Sequence, residues 1–197
     1  MRGVKTWAMS LMVVGLAGYA QGALLPLDFI GKAGEGLLPG NEPGSVVSSA
    51  VGAEIGESLT YDTDTNILTF DFEFSGLTGG LRDAAKGIHF HIASPGDDPL
   101  NQNGGIALFL NTGTDANVTL STPLVAIGAT GGRVTGTASL TEPEEADLLA
   151  SKFYLNIHSG QFAGGELRGN LVVVPEPTSA ALATLAGLGV LARRRGR

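Results

Sequence analysis

Cysteine is missing from all 197 residues, which excludes disulfides, thiolate metal sites and cysteine nucleophiles. Charge is sparse at 16% of residues, aromatics make up 6%, and histidine occurs three times. Bases are scarcest in the middle: between Ala23 and Val174 six face eighteen acids, a net of −12. Such a segment repels nucleic acid and anionic membrane surfaces and attracts cations, so no nucleic-acid partner is expected. No apolar run reaches the ~20 residues of a comfortable membrane-spanning helix. What is abundant is glycine, 30 residues, about twice the usual share. That balance suits a β-rich fold with many tight turns better than a helical bundle, and without disulfides the fold rests on its core or on a metal.

The two ends read as addresses. Arg2 and Lys5, then the apolar run Trp7 to Tyr19 broken only by Ser10, then Ala20-Gln21-Gly22, have the parts of a secretory signal peptide. Cleavage is expected between Gly22 and Ala23, so residues 1–22 are the leader and residues 23–173 the mature domain. Residues 174–197 form a three-part tail: Pro175-Glu176-Pro177, a small-residue apolar segment from Thr178 to Ala192, and Arg193, Arg194 and Arg195 with Arg197. The prolines stop any preceding strand. The apolar segment covers about 22 Å as a helix, short of a ~30 Å bilayer core, and the arginines stay cytoplasmic. This tail resembles the PEP-CTERM sorting signal of Gram-negative bacteria. The resemblance implies a transient inner-membrane anchor, processing by an exosortase, and delivery to the cell surface or extracellular matrix.

Between the ends, alternation dominates. In Asn66 to Phe74, Leu68, Phe70, Phe72 and Phe74 point one way and Thr69, Asp71 and Glu73 the other, a strand with one buried face. Further strands are expected over Ala23 to Ile30, in Ser45 to Thr60 as one or two pieces, and over Ile88 to Ile92 and Ile106 to Leu110. Weaker ones fall between Val118 and Ile127, with clearer ones over Arg133 to Leu140, Lys152 to His158 and Glu166 to Val174. Gly31 to Gly44 reads as a loop. Thr141-Glu-Pro-Glu144 has the form of a capping box opening a short helix over Pro143 to Ser151. Asp62, Asp64 and Asn66 superficially resemble the start of a calcium loop, but Ile67 holds the position that needs glycine, so a hairpin turn is expected. About eight short strands and one helix make an all-β sandwich.

Two segments resemble the CHRD (chordin) domain. One is Ile88-His-Phe-His91 with the loop after it and the strand Gly105-Ile-Ala-Leu-Phe109. The other is Phe153-Tyr-Leu-Asn-Ile-His158 followed by Phe162-Ala-Gly-Gly-Glu-Leu-Arg-Gly-Asn-Leu171. The resemblance spans roughly residues 24–172. It implies an immunoglobulin-like Greek-key sandwich, distantly similar to copper/zinc superoxide dismutases, and implies fold more than activity.

His89 and His91 lie two residues apart on one strand, so their rings share the face turned from the core. His158 ends another strand, also away from its apolar face. If those strands are neighbours, the three imidazoles can hold copper or zinc, and the dismutase similarity strengthens this. A fourth histidine is lacking, so redox turnover is not expected; Asp97 or Asp98 is the nearest acid available from the adjacent loop. The alternative is structural, with the histidines bonding the loop after Ile92 and the Gly160 to Gly165 loop. Arg168 and Glu166 read as a surface ion pair. Ser94 and Ser159 lie near histidines, but no nucleophile elbow is present, and no catalytic residue is assigned. The expectation is a non-enzymatic binding or matrix module with an unidentified matrix or protein ligand. The alternatives are a copper- or zinc-binding protein and, beyond that, a dismutase-like enzyme.

Overall fold

The computed structural model describes residues 23–83 and 86–174. The leader through Gly22 and the tail with Pro175, Glu176, Pro177, Arg193, Arg194 and Arg195 lie outside the described residues. In chain order the elements are β1 (Leu24–Gly31), β2 (Gly34–Glu35), β3 (Val51–Glu54), β4 (Thr60–Asp62), β5 (Ile67–Ser75), β6 (Ile88–Ile92), β7 (Gly105–Phe109), β8 (Val118–Leu120), β9 (Gly132–Ser139), α1 (Glu142–Leu149), β10 (Phe153–Ile157) and β11 (Leu167–Val173). The fold is all-β with one short helix, as the alternation predicts. Eleven strands replace the expected eight or so because short ribbons form where patterning is weak. The patchy stretch from Ser45 to Thr60 yields β3 and then β4, interrupted at Gly56 with its φ of 62°. The expected loop at Gly31 to Gly44 contains β2 and a 3-10 turn over Pro39–Asn41.

Strand order is β7-β6-β10-β11-β1-β4-β5-β9-β8, with β2 beside β1 and β3 beside β5. Every pairing is antiparallel. β1 serves two layers: Leu24, Leu25 and Pro26 pair with β4, while Leu27 to Ile30 pair with β11. The sheet thus folds over at β1 into a sandwich. The chain crosses from β5 to the β6–β7 hairpin, returns to β8 and β9, and crosses again through α1 to β10 and β11.

Alternation decides what fills the space between the layers. Leu68, Phe70 and Phe72 from β5 are fully buried, as are Ile88 and Phe90 from β6 and Phe153, Leu155 and Ile157 from β10. Phe70 meets Phe90 edge-on at 6.0 Å between centroids, and Phe29 meets Phe72 at 5.9 Å and 90°. Each such ring contributes about 1.5–3 kcal/mol of burial. The Asp62 to Asn66 run turns β4 into β5. Asp62 accepts from the amides of Asp64 (2.8 Å) and Thr65 (3.3 Å), and Asn66 takes a φ of 57°. α1 starts where Thr141 N donates to Glu144 Oε2 at 2.8 Å. No helix among the described residues is long and apolar enough to cross a membrane.

Candidate metal centre

The outer face of β6, β10 and β11 is polar by alternation, yet loops bury it. His89 is 2% exposed and His91 9%, while Asn156, Arg168 and Asn170 are each 2% or less. Register sets the neighbours: Tyr154 lies opposite His91 and Asn170, and Asn156 opposite His89 and Arg168. His158 stands one residue past that ladder, its amide bonded to Gly87 O at 2.8 Å, which puts its ring diagonal to His89. A bulge opposite Phe90/His91 shifts the β7 pairing beside the pair.

These placements bring all three predicted histidines together. Their ligand nitrogens lie within 4.8 Å of one another. The His89 and His158 rings stack at 4.7 Å with Nε2 atoms 3.1 Å apart, and His89 and His91 rings are 4.5 Å apart. His91 Nδ1 bonds Gly104 O at 2.9 Å, and His158 Nδ1 bonds Ala163 O at 2.8 Å. Those are the two loops the structural reading named. The structural and metal-binding readings are compatible, because the anchors use only Nδ1. Two carbonyl acceptors place the protons on Nδ1 and leave the Nε2 lone pairs of His91 and His158 facing inward. His91 Nε2 and His89 Nδ1 are buried without a hydrogen-bond partner.

The 3.1 Å contact carries a chemical constraint. Two bare lone pairs repel, so a proton or a cation lies between them. His158 Nε2 is the acceptor, so in the metal-free protein His89 donates from Nε2, a tautomer assigned from partners. A metal ion shared by the Nε2 atoms lets His89 hold its proton at Nδ1 instead. Nitrogens around a tetrahedral ion stand about 3.3 Å apart, so the widest pair closes by no more than about 1.5 Å.

Electrostatics keeps the rings neutral. Burial, then the charges of His91 and His158, push His89 down to about 3. Burial pushes His91 down to about 4, with His158 and Arg168 adding to it against the Gly104 carbonyl. His158 is lowered by burial and by Arg82 against the Ala163 carbonyl. Neutral imidazole is the metal-ligating form.

The surroundings hold residues that sequence reasoning missed. The Tyr154 ring stacks on His91 at 4.7 Å and 4°, and its hydroxyl accepts from Gly104 N at 2.7 Å. Arg168 Cζ lies 3.5 Å from the centre of the same ring. Gly104 is required: a Cβ there would lie 1.8 Å from Ile92 O. The expected Arg168–Glu166 surface ion pair does not form. Both are fully buried, because the 94–104 and 76–80 segments fold over β11. Arg168 donates to Asn103 Oδ1 (2.9 Å), Pro99 O (2.6 Å) and Gln102 O (2.9 Å). Glu166 accepts from Ser48 Oγ and from Thr78 N (3.0 Å) and Oγ1 (2.8 Å). Burial raises its pKa, but bonds from Ser159, Ser48 and Thr78 outweigh this and leave it lowered. No carboxylate joins the histidine cluster among the described residues. Asp98 accepts from Leu100 N and Asn101 Nδ2 inside its own loop.

An all-β sandwich with a buried polar layer on one sheet, gathered around three histidines, defines the structural class. The CHRD domain family matches residues 37–171, and the chain belongs to that family. β1 precedes the matched residues yet sits inside the sheet. No curated protein and no solved structure matches the chain.

Proposed function

We propose that this CHRD-domain protein is exported, delivered to the cell surface or extracellular matrix, and binds one transition-metal ion, copper or zinc, at His89, His91 and His158 without catalysing a reaction. The observation that carries the metal reading is the Nδ1 anchoring of His91 and His158, which leaves His158 Nε2 3.1 Å from His89 Nε2 and His91 Nε2 buried without a partner, within one cluster of ligand nitrogens. Backbone carbonyls on the far nitrogens are the usual outer partners of metal-bound histidines. The bound ion would act as a Lewis acid that ties β6 to β10. Purified full-length chain should carry one copper or zinc per molecule by elemental analysis, and His89→Ala should lose it. Wild type without either metal after equilibration refutes the reading.

Export rests on the leader-like residues 1–22, and delivery on the tail with Pro175-Glu176-Pro177 and its arginines. The exosortase is the expected processing partner, the inner membrane a transient one, and the matrix or protein ligand is the partner at the destination. Deleting Val174 to Arg197 should release a soluble secreted form; unchanged surface retention would refute the sorting role. A dismutase-like reaction is left out of the proposal because the chain has only three histidines and so no fourth, metal-bridging one.

A further inference from the structure

Granted the metal reading above, the charge around the cluster determines which ion it takes. We propose that the three-histidine site selects Cu(I) over divalent ions, and that Arg82 is a specificity-determining residue. The ligand set is three neutral imidazoles, joined by no carboxylate among the described residues. His89 and His91 are buried, and His158 is half-buried. The cost of removing an ion from water grows as the square of its charge, so a divalent ion costs about four times as much as a monovalent one. Divalent sites offset this with anionic ligands or with a fourth, water ligand. Among the described residues the charged side chains that act on the ligand rings are Arg82 on His158 and Arg168 on His91, both cations.

Arg82 Nη1 donates to Ala163 O at 3.1 Å, the same oxygen that holds His158 Nδ1 at 2.8 Å. Arg82 N also donates to His158 O at 3.2 Å, which fixes the arginine at the mouth of the cluster. Arg168 stands behind Tyr154, whose ring stacks on His91. The carboxylate facing this layer from the 3-10 turn, Glu42, acts on Arg168 and Lys32. Asp98 is held in its own loop and acts on Arg168 as well. Repulsion from a fixed cation is twice as large for a divalent ion as for a monovalent one. Cu(I) is also satisfied by three nitrogen donors, where zinc takes four ligands.

The test titrates metal-free full-length chain with Cu(I), anaerobically and against a chromophoric chelator, and with Zn(II) and Cu(II) against matched chelators. Cu(I) should bind one per chain and at least about tenfold more tightly than Zn(II), with a copper potential above that of the aqueous couple. Arg82→Gln should keep Cu(I) binding within about twofold while raising Zn(II) affinity about fivefold and lowering the potential, the discount reflecting an exposed, screened guanidinium. Zn(II) binding as tightly as Cu(I), or equal shifts for both ions in Arg82→Gln, overturns the selectivity and leaves the metal site standing. No binding of any of the three ions overturns the metal site itself, and the selectivity with it.

Discussion

Replacing Arg168 with methionine removes a guanidinium from inside the protein while keeping much of its volume. Three hydrogen bonds are lost, to Asn103 Oδ1, Pro99 O and Gln102 O, though Pro99 O keeps the Asn170 Nδ2 donor at 2.9 Å. Hydrogen bonds to a charged group contribute about 1.5–3 kcal/mol each, giving an upper bound of about 4.5–9 kcal/mol. The cation over Tyr154 at 3.5 Å adds about 1–2 kcal/mol. Against this, methionine avoids burying a cation, which costs several kcal/mol, and it packs on the same ring. The difference is a loss of about 3–5 kcal/mol, a large share of the 5–15 kcal/mol a domain usually has. Urea unfolding should show the midpoint falling with an unchanged slope, and the melting temperature should drop by about 10 °C. Arg168→Lys keeps the charge but loses the planar fork, and should cost about 2–4 kcal/mol. Hydrogen exchange should rise across the 99–104 loop in both variants. A cost under about 1 kcal/mol for methionine, with the loop still protected, would refute the account of Arg168 as the clasp of that loop.

Other outcomes follow from the same layer. Gly104→Ala places a Cβ 1.8 Å from Ile92 O, so the loop must move and the His91 anchor with it; calorimetry should register a loss of about 2–4 kcal/mol. Burial raises Glu42 to about 7 against the partial relief of Arg168 and Lys32, so the folded state holds its proton more tightly than the unfolded chain does. Stability from this group therefore falls as pH rises from about 4.5 to 7, by about 3 kcal/mol. Glu42→Gln should match wild type near pH 4.5 and exceed it at pH 8, read from urea midpoints; parallel curves would count against it. The depressed histidines act in the opposite sense. The His89 and His91 rings together should cost the metal-free protein on the order of 5 kcal/mol as pH falls from 6.5 to 4, opposed by the smaller gain from Glu42, and His89→Gln with His91→Gln should remove that cost.

Much of the architecture is legible in single strands. Phe70, Phe72 and Phe90 lie inside because period-2 alternation reports faces directly, and the Asp62 turn announces itself by its side-chain caps. The histidine pair is equally legible, since residues two apart on a strand share a face. That His158 completes the cluster depends on β6 lying beside β10, a pairing between distant segments that tertiary packing decides. Glu166 and Arg168 were misplaced because alternation separates core-facing from outward-facing residues but cannot say whether a loop covers the outward face. One signal was present. Two asparagines and an arginine on the outward positions of adjacent strands, Asn156, Arg168 and Asn170, with Tyr154 beside them, suit a covered polar layer that bonds loop carbonyls.

The last strand of the domain is an interior one. β11 lies between β10 and β1, and Val173 ends opposite Leu27, near the domain's first residues. The layer that holds β6, β7 and β10 reaches β1 only through β11, so the two layers cannot be joined until residue 173 is available. Closing the sandwich is then a late event governed by contacts between the two ends of the domain, slow by topology.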